Sequence, residues 1–432
     1  MAKRRFSRDV LGVFNSNVFS IIAGLLASIV LARVLGPDKY GIYIALIIIP
    51  TIVVSLTHMG IRGSAIFHIG KGKFDKDDLV SSILLLWVIA SILGIIITAI
   101  AYFIYNEPNF TLLLIGLVLM VIPGQLAIIY FGGIFLGNDE ISKANQMNWI
   151  TNSVNLSLIV LLVWGLGMGI LGAVIAFLIS GSIVTLYGLY LLSRSYRIHF
   201  RVQKKILVSL LRLGVLFSVS FFILQLNYRI DILLIEKLRD ATEVGIYSIG
   251  TSIAEQVWQL PLAVGIVVFS RTANTKDREA MTETTGVLLR LSFLVSIALA
   301  TVMFFVVPFL VPLIFGDEYI PSIRIIQLIL PGIIMVVMFR ILSGHLAGLG
   351  RPEVTLYVFL PALVLNIILN LLWIPEYGGE GAAMATNVSY AAGSIGYLLI
   401  YSRILKVPIK DILFVKKSDF TQLRVMIRGL KK

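Results

Sequence analysis

Apolar residues run along this chain in long stretches separated by short polar breaks, and each stretch has the length a helix needs to cross a bilayer. About 20 mostly apolar residues at the helical rise span the hydrocarbon layer. Runs at 14–35, 41–61, 79–105, 111–135, 146–166, 169–192, 209–236, 246–269, 286–314, 322–347, 354–374 and 381–405 therefore predict twelve membrane-spanning helices. The GLGMG break at Gly165–Gly169, between the fifth and sixth runs, is very short. The pattern also repeats. LGPDKYGIY at Leu35–Tyr43 returns as LRDATEVGIY at Leu238–Tyr247, LGNDE at Leu136–Glu140 as LGRPE at Leu349–Glu353, and GILGAVIA at Gly169–Ala176 as GGEGAAMA at Gly378–Ala385. Three matches in order, at offsets of about 204 to 213 residues, indicate a duplication. Six helices per copy is an even number, so both copies enter the membrane from the same side. The expected fold is an all-α polytopic membrane protein of two six-helix lobes, related by a pseudo-two-fold axis along the membrane normal, with a substrate site between them. The expected divisions are an N-terminal lobe at 1–192, a basic linker at 193–208, a C-terminal lobe at 209–405 and a basic tail at 406–432.

Composition agrees. Of 432 residues, 58% are hydrophobic and only 14% charged, well outside the range of soluble domains. There is no cysteine, which excludes disulfides, thiolate metal sites and a thiol nucleophile. A net charge of +13 would suggest nucleic acid in a soluble protein. Here the positive-inside rule accounts for it, because the excess falls in alternate loops. With the N-terminus in the cytoplasm, 26 of the 36 Lys and Arg lie in inside segments, 4 in outside loops and 6 within spans. A multi-pass protein of the plasma (inner) membrane with both termini cytoplasmic is expected, and no nucleic-acid partner. The basic start MAKRRFSRDV resembles a secretory signal, but the run from Phe14 to Leu35 is too long for one and is read as the first helix. Basic and apolar residues alternate in the linker Ser193–Lys205 and in the tail from Lys406. Both suit either a segment lying on anionic headgroups or a solvated loop that sets topology.

The polar residues inside the spans are the candidates for chemistry. Arg229 lies in ILQLNYRIDILLIEKL; if that helix ends near Glu236, Arg229 is seven residues, or about 10 Å, below the membrane edge. A charge at that depth usually faces a cavity or a partner. A guanidinium there can hold a phosphate through its planar fork. Arg340 lies about two turns from its helix end and could serve the same cavity, and Tyr228 reads either as a ring for a sugar to stack on or as packing, the commoner role of a membrane tyrosine. Arg62, Arg212, Arg290 and Arg324 lie within reach of a membrane edge and are expected to snorkel to headgroups. Asp231 and Glu255 are the two carboxylates placed within spans, readable as ion-coupling groups for H+ or Na+ or as structural partners of the arginines. Glu255 lies in AEQVWQLP, where Pro261 removes an N–H and frees a carbonyl, with Gln259 beside it. Asn15, Asn17, Asn152, Asn155, Asn366 and Asn370 read as hydrogen-bonding glue between helices, with Asn15 and Asn17 also candidates for the cavity wall. His58 and His345 lack metal-ligand spacing; no metal and no resident cofactor are expected. No phosphate loop or nucleophile elbow stands where it could work.

FGDEY at Phe315–Tyr319, LGRPE at Leu349–Glu353 and NIILNLLWIPEYGGEGAAMA at Asn366–Ala385 closely resemble the polysaccharide flippases. These are the O-antigen and capsule exporter branch of the multidrug/oligosaccharidyl-lipid/polysaccharide superfamily. LARVLGPDKYGIY near the first helix and the IDILLIEKL…VGIY run extend the resemblance over essentially the whole chain. The resemblance implies two lobes forming a V, with helices 1, 2, 7 and 8 lining a cationic cavity. It implies a transporter that turns a lipid-linked oligosaccharide, usually on undecaprenyl pyrophosphate, from the inner to the outer leaflet. Asp231 stands where the family often has an aspartate. Expected partners are that substrate, membrane lipids and other polysaccharide-assembly proteins. Twelve spans fit this branch better than the fourteen typical of peptidoglycan-precursor flippases.

Two other readings compete. A cation-coupled multidrug antiporter of the same superfamily would share the lobes, but six arginines in or near the spans disfavour a cationic substrate. A membrane glycosyltransferase or polymerase needs acid, base or metal groups gathered at a membrane face, usually on sizeable loops. The internal loops here reach only roughly 17 residues, and no enzyme is expected.

Overall fold

The computed structural model describes residues 2–72, 74–199, 203–275, 277–414, 416 and 419; the side chains of residues 2–18, 213, 216, 217, 273 and 274 lie outside that description. The described residues are helical throughout, with no strand among them. Two helical runs are too long to be single membrane helices. Ala2–Thr57 has 56 residues and Glu353–Leu405 has 53; at 1.5 Å per residue each would reach about 80 Å, against about 30 Å of hydrocarbon. Each is broken once by a glycine: Gly36 (φ 71°, ψ 169°) and Gly378 (φ 56°, ψ −135°). Positive φ with extended ψ is open essentially to glycine alone, so these two positions turn one helix into two.

The ten long apolar segments thereby hold twelve crossing helices. They are α1 (2–35), α2 (37–57, continued as Ile61–Lys71), α3 (Lys76–Tyr105), α4 (Leu112–Gly137), α5 (Ile141–Gly165) and α6 (Gly169–Ser195). After these come α7 (Lys204–Leu238), α8 (241–274), α9 (Arg278–Phe315), α10 (Pro321–Gly348), α11 (353–377) and α12 (379–405). A short α13 (Ile409–Leu413) follows. Local chemistry sets the ends. The Asp75 carboxylate accepts from the Asp77 and Asp78 amides to start α3, and Asp277 accepts from the Ala280 amide to start α9. Between α5 and α6, Gly167 and Gly169 at φ 65° and 60° make the break that GLGMG predicted.

The chain divides into two compact units. The first comprises Met1–Glu236 with Asp240–Gly245, the second Lys237–Arg239 with Ile246–Lys432. By sequence repeat α7 opens the second lobe, yet it packs with the first unit. Ile206 and Leu210 enter a core that holds Leu79, Leu126, Phe131 and Val184. Farther along, the α7 backbone at Gly214 lies against Gly60, and Ser218 Oγ donates to the Leu56 carbonyl at 2.9 Å. The linker is also tied down. The Arg197 and His199 amides donate to Asp77 and Ser81, and the His199 ring and Gln203 amide meet the Asp78 carboxylate at 3.0 and 2.8 Å. Those residues grip the start of α3.

In the second unit α10 is the most enclosed helix, and Phe339 packs its ring 4.3 Å from Phe359 and 5.4 Å from Tyr397. The outward face of α9 (Phe305, Phe309 and Leu313 among others) is exposed and apolar, as a lipid-facing helix requires. Asn152 bonds the Asn148 carbonyl and Asn370 bonds Asn366, each within its own helix. Asn387 of α12 joins two helices. Its side chain accepts from the Gly332 amide at 2.6 Å and donates to the Leu328 carbonyl, inserting into the α10 ladder next to Pro331. A proline leaves the neighbouring backbone groups unpaired, and a polar side chain from another helix takes them up.

Candidate functional site

Each unit carries its own group of in-span polar residues. In the first unit, α7 buries Asn227, Tyr228 and Asp231, with Asp231 only 1% exposed, while Arg229 is half-buried. Arg229 and Asp231 are two residues apart, on different faces of the helix.

In the second unit the site is organised by an irregularity in α8. Pro261 cannot donate to residue 257, and the helix tightens into a 3-10 turn at Glu255–Trp258 one turn before it. The turn sets Trp258 inward, 4% exposed, with its ring 6.1 Å from that of Tyr390. Arg340 of α10 lies over the Trp258 face, its guanidinium carbon 4.7 Å from the ring centroid. The helices can approach this closely because residue 265 is glycine; a Cβ there would sit 2.3 Å from the Arg340 carbonyl oxygen. The ring quadrupole attracts the cation and fixes its plane without using its edge, where the N–H donors are. Glu255 and Gln259 flank Trp258 on the same irregular turn and are half-buried.

The structure thus brings Arg340, Glu255 and Gln259 into one neighbourhood, and places Tyr228, Arg229 and Asp231 in the other unit. Asn15 and Asn17 lie on α1, but their side chains are outside the described residues. Sequence reasoning missed Trp258, although a tryptophan three residues before a mid-span proline is a readable signal. It also missed a fully buried ion pair. Arg290, expected to snorkel, is 4% exposed; its Nε and Nη2 donate to the two oxygens of Asp419 at 2.7 Å each, and Nη1 donates to the Asp411 carbonyl at 2.6 Å. Arg290 therefore clasps the tail onto α9, beside a cavity of about 430 Å³, with Ile412 buried beneath. The Arg290 hydrogen bonds hold the Asp419 carboxyl below the usual carboxylate range. Arg62 and Arg212 are exposed, and Arg324 stands 3.8 Å from Glu380 at the surface. His345 bonds Tyr401 at 2.6 Å and His58 accepts from the Gly60 amide; among the described residues no group of His, Asp or Glu is arranged to hold a metal.

The chain combines membrane-spanning helices, a glycine break within each of its two longest helical runs and a tryptophan-backed arginine within a span. The "Polysaccharide biosynthesis protein" family model matches residues 6–269, and the chain belongs to that family. The MatE model matches residues 217–372. An uncharacterised membrane protein of Methanocaldococcus jannaschii is 25% identical over 88% of this chain and 94% of its own. A Haloferax volcanii protein named "Probable low-salt glycan biosynthesis flippase Agl15" is 22% identical over 90% of this chain and 82% of its own. Among solved structures, the lipid II flippase MurJ in an inward closed conformation aligns with a TM-score of 0.77 and 17% identity, over 97% of this chain and 93% of that one. The chain shares that fold.

Proposed function

We propose that this protein flips a lipid-linked oligosaccharide, carried on a polyprenyl pyrophosphate, from the cytoplasmic to the outer leaflet for surface polysaccharide synthesis, by alternating access. The observation that carries the reading is Arg340 stacked on buried Trp258 within a membrane helix, in a chain whose family assembles polysaccharide. A guanidinium held in plane in a low-dielectric setting suits a diphosphate. Arg229 of the first unit is the second phosphate-binding residue, with Tyr228 as a sugar-facing ring. Glu255 and Asp231 are the coupling carboxylates for H+ or Na+, and Asn15, Asn17 and Gln259 contribute polar contacts. On the charge pattern of the loops, both termini face the cytoplasm in the plasma membrane. The protein moves its substrate unchanged and works beside the proteins that build and polymerise the glycan.

The deciding experiment is the leaflet-resolved profile of lipid-linked saccharides in cells depleted of the protein. A finished oligosaccharide accumulating on the cytoplasmic leaflet is the expected result; an unfinished one would point to an enzyme. The match of the MatE model over 217–372 supports one other reading, a cation-coupled multidrug antiporter. An unchanged saccharide profile together with altered drug resistance would favour it.

A further inference from the structure

At one end of the first unit three turns meet: that between α1 and α2, the loop after α3, and the passage from α7 to α8. The meeting is tight at backbone level. Gly41 and Gly245 occupy the same place in the repeated GIY motifs, and they pack reciprocally. A Cβ on Gly41 would fall 1.7 Å from the Ala241 carbonyl oxygen, and one on Gly245 would fall 2.1 Å from that of Pro37. Tyr105 at the end of α3 donates to the Leu233 carbonyl at 2.9 Å, fastening α3 to the last turn of α7.

Glu236 sits in this junction. It is 6% exposed, and its Oε2 is wholly buried with no hydrogen-bond partner among the described residues. The charged groups that act on it are all acidic: Glu107 from the loop after α3, Asp240 at the start of α8 and Asp38 from the α1–α2 turn, with the Tyr105 phenol also close. Asp240 is engaged in accepting from the Glu243 amide, and Glu107 accepts from Asn109. The cations of the same segments, Arg33, Lys39, Lys237 and Arg239, have exposed side chains, and Arg239 donates to the Ile374 and Glu376 carbonyls. An ionised carboxylate so placed would be desolvated and surrounded by like charge. The neutral acid is far cheaper to bury.

We propose that Glu236 is a proton-binding carboxyl that couples closure of this junction to the uptake of one proton. In the closed packing it holds the proton. When the α1–α2 and α7–α8 turns separate, water reaches the carboxyl, the proton passes to solvent, and the new charge repels Asp38, Glu107 and Asp240. Closure then needs a proton back. The proposal requires no transported substrate and so stands apart from the flippase reading.

The test is hydrogen–deuterium exchange of the purified full chain in lipid nanodiscs from about pH 5 to 9, corrected for the intrinsic pH dependence of exchange. The peptides to follow cover residues 36–44 and 239–247. The wild type should be protected in acid and exchange about tenfold faster in base through a one-proton transition; Glu236→Gln should stay protected throughout. A wild-type profile without a transition, or a Gln variant that retains the wild-type profile, would overturn the proposal. Should the Gln variant fail to fold, Glu107→Gln decides: one fewer negative neighbour should move the transition to lower pH, and an unmoved transition also overturns it.

Discussion

Arg290 and Arg340 are both arginines on long apolar helices of the second unit, and they differ in burial and in the contact that orients them. Arg290 spends its guanidinium on the protein itself: both edges are filled by Asp419 and by the Asp411 carbonyl, and nearly all of the side chain is buried. Arg340 is half-buried, and its ring contact is with its face, over Trp258. A bidentate carboxylate consumes the donors that would bind a phosphate, whereas an aromatic face orients them. The comparison teaches that an arginine inside a membrane helix says little about function until its partner is known.

The comparison is broken most sharply by removing each arginine in turn. Arg340→Ala, and separately Arg229→Ala, should lower export of the glycan at least about tenfold while the protein still inserts and remains monodisperse, corresponding to about 1.4 kcal/mol or more of lost substrate stabilisation. Normal export by either variant would remove that residue from the site. Arg290→Ala should do the reverse. It leaves the buried Asp419 charge uncompensated, at a cost of about 3 kcal/mol, the low end for such pairs because a cavity opens beside it. Thermal unfolding in detergent should show that loss, with transport falling only as far as folded protein does.

Acidification sharpens the contrast further. Because Arg290 lowers the Asp419 carboxyl, its contribution to docking is fully present above the ordinary carboxylate range and is lost as pH falls through the lowered value. Protection of Ile409–Leu413 against proteolysis should therefore hold from neutral pH down to about 5 and fail only in stronger acid. The smallest effect expected is that of Asn387→Leu. It loses two hydrogen bonds to α10 at Pro331, and as interhelical bonds in membranes contribute about 1 kcal/mol, only a modest fall in melting temperature should follow.

The number of crossing helices was legible because burial in lipid demands long apolar runs, and those cannot be hidden in a sequence. The irregular turn in α8 was legible too, since Pro261 lacks the N–H whatever surrounds it. The partners of the polar residues were not. Asn370 donates to Asn366 four residues back on its own helix, while Asn387 bridges to α10, because what decides is where Pro331 of a different helix opens its ladder. Glu236 read as the end of a helix, and its burial comes from turns about 130 and 200 residues away in the chain.

By itself the sequence determined the class of this protein: a duplicated, all-helical membrane chain with its basic residues concentrated in alternate loops and arginines within its spans. Hydrophobicity, charge and the special geometry of glycine and proline are local properties, and they act wherever the chain goes. Only the tertiary structure decided that α7 packs with the first unit, that Arg290 clasps the tail, that Arg340 lies on Trp258 and that Glu236 is enclosed among acids. Those outcomes depend on which side chains meet across distant helices, and a burial or a pairing exists only once the helices have packed.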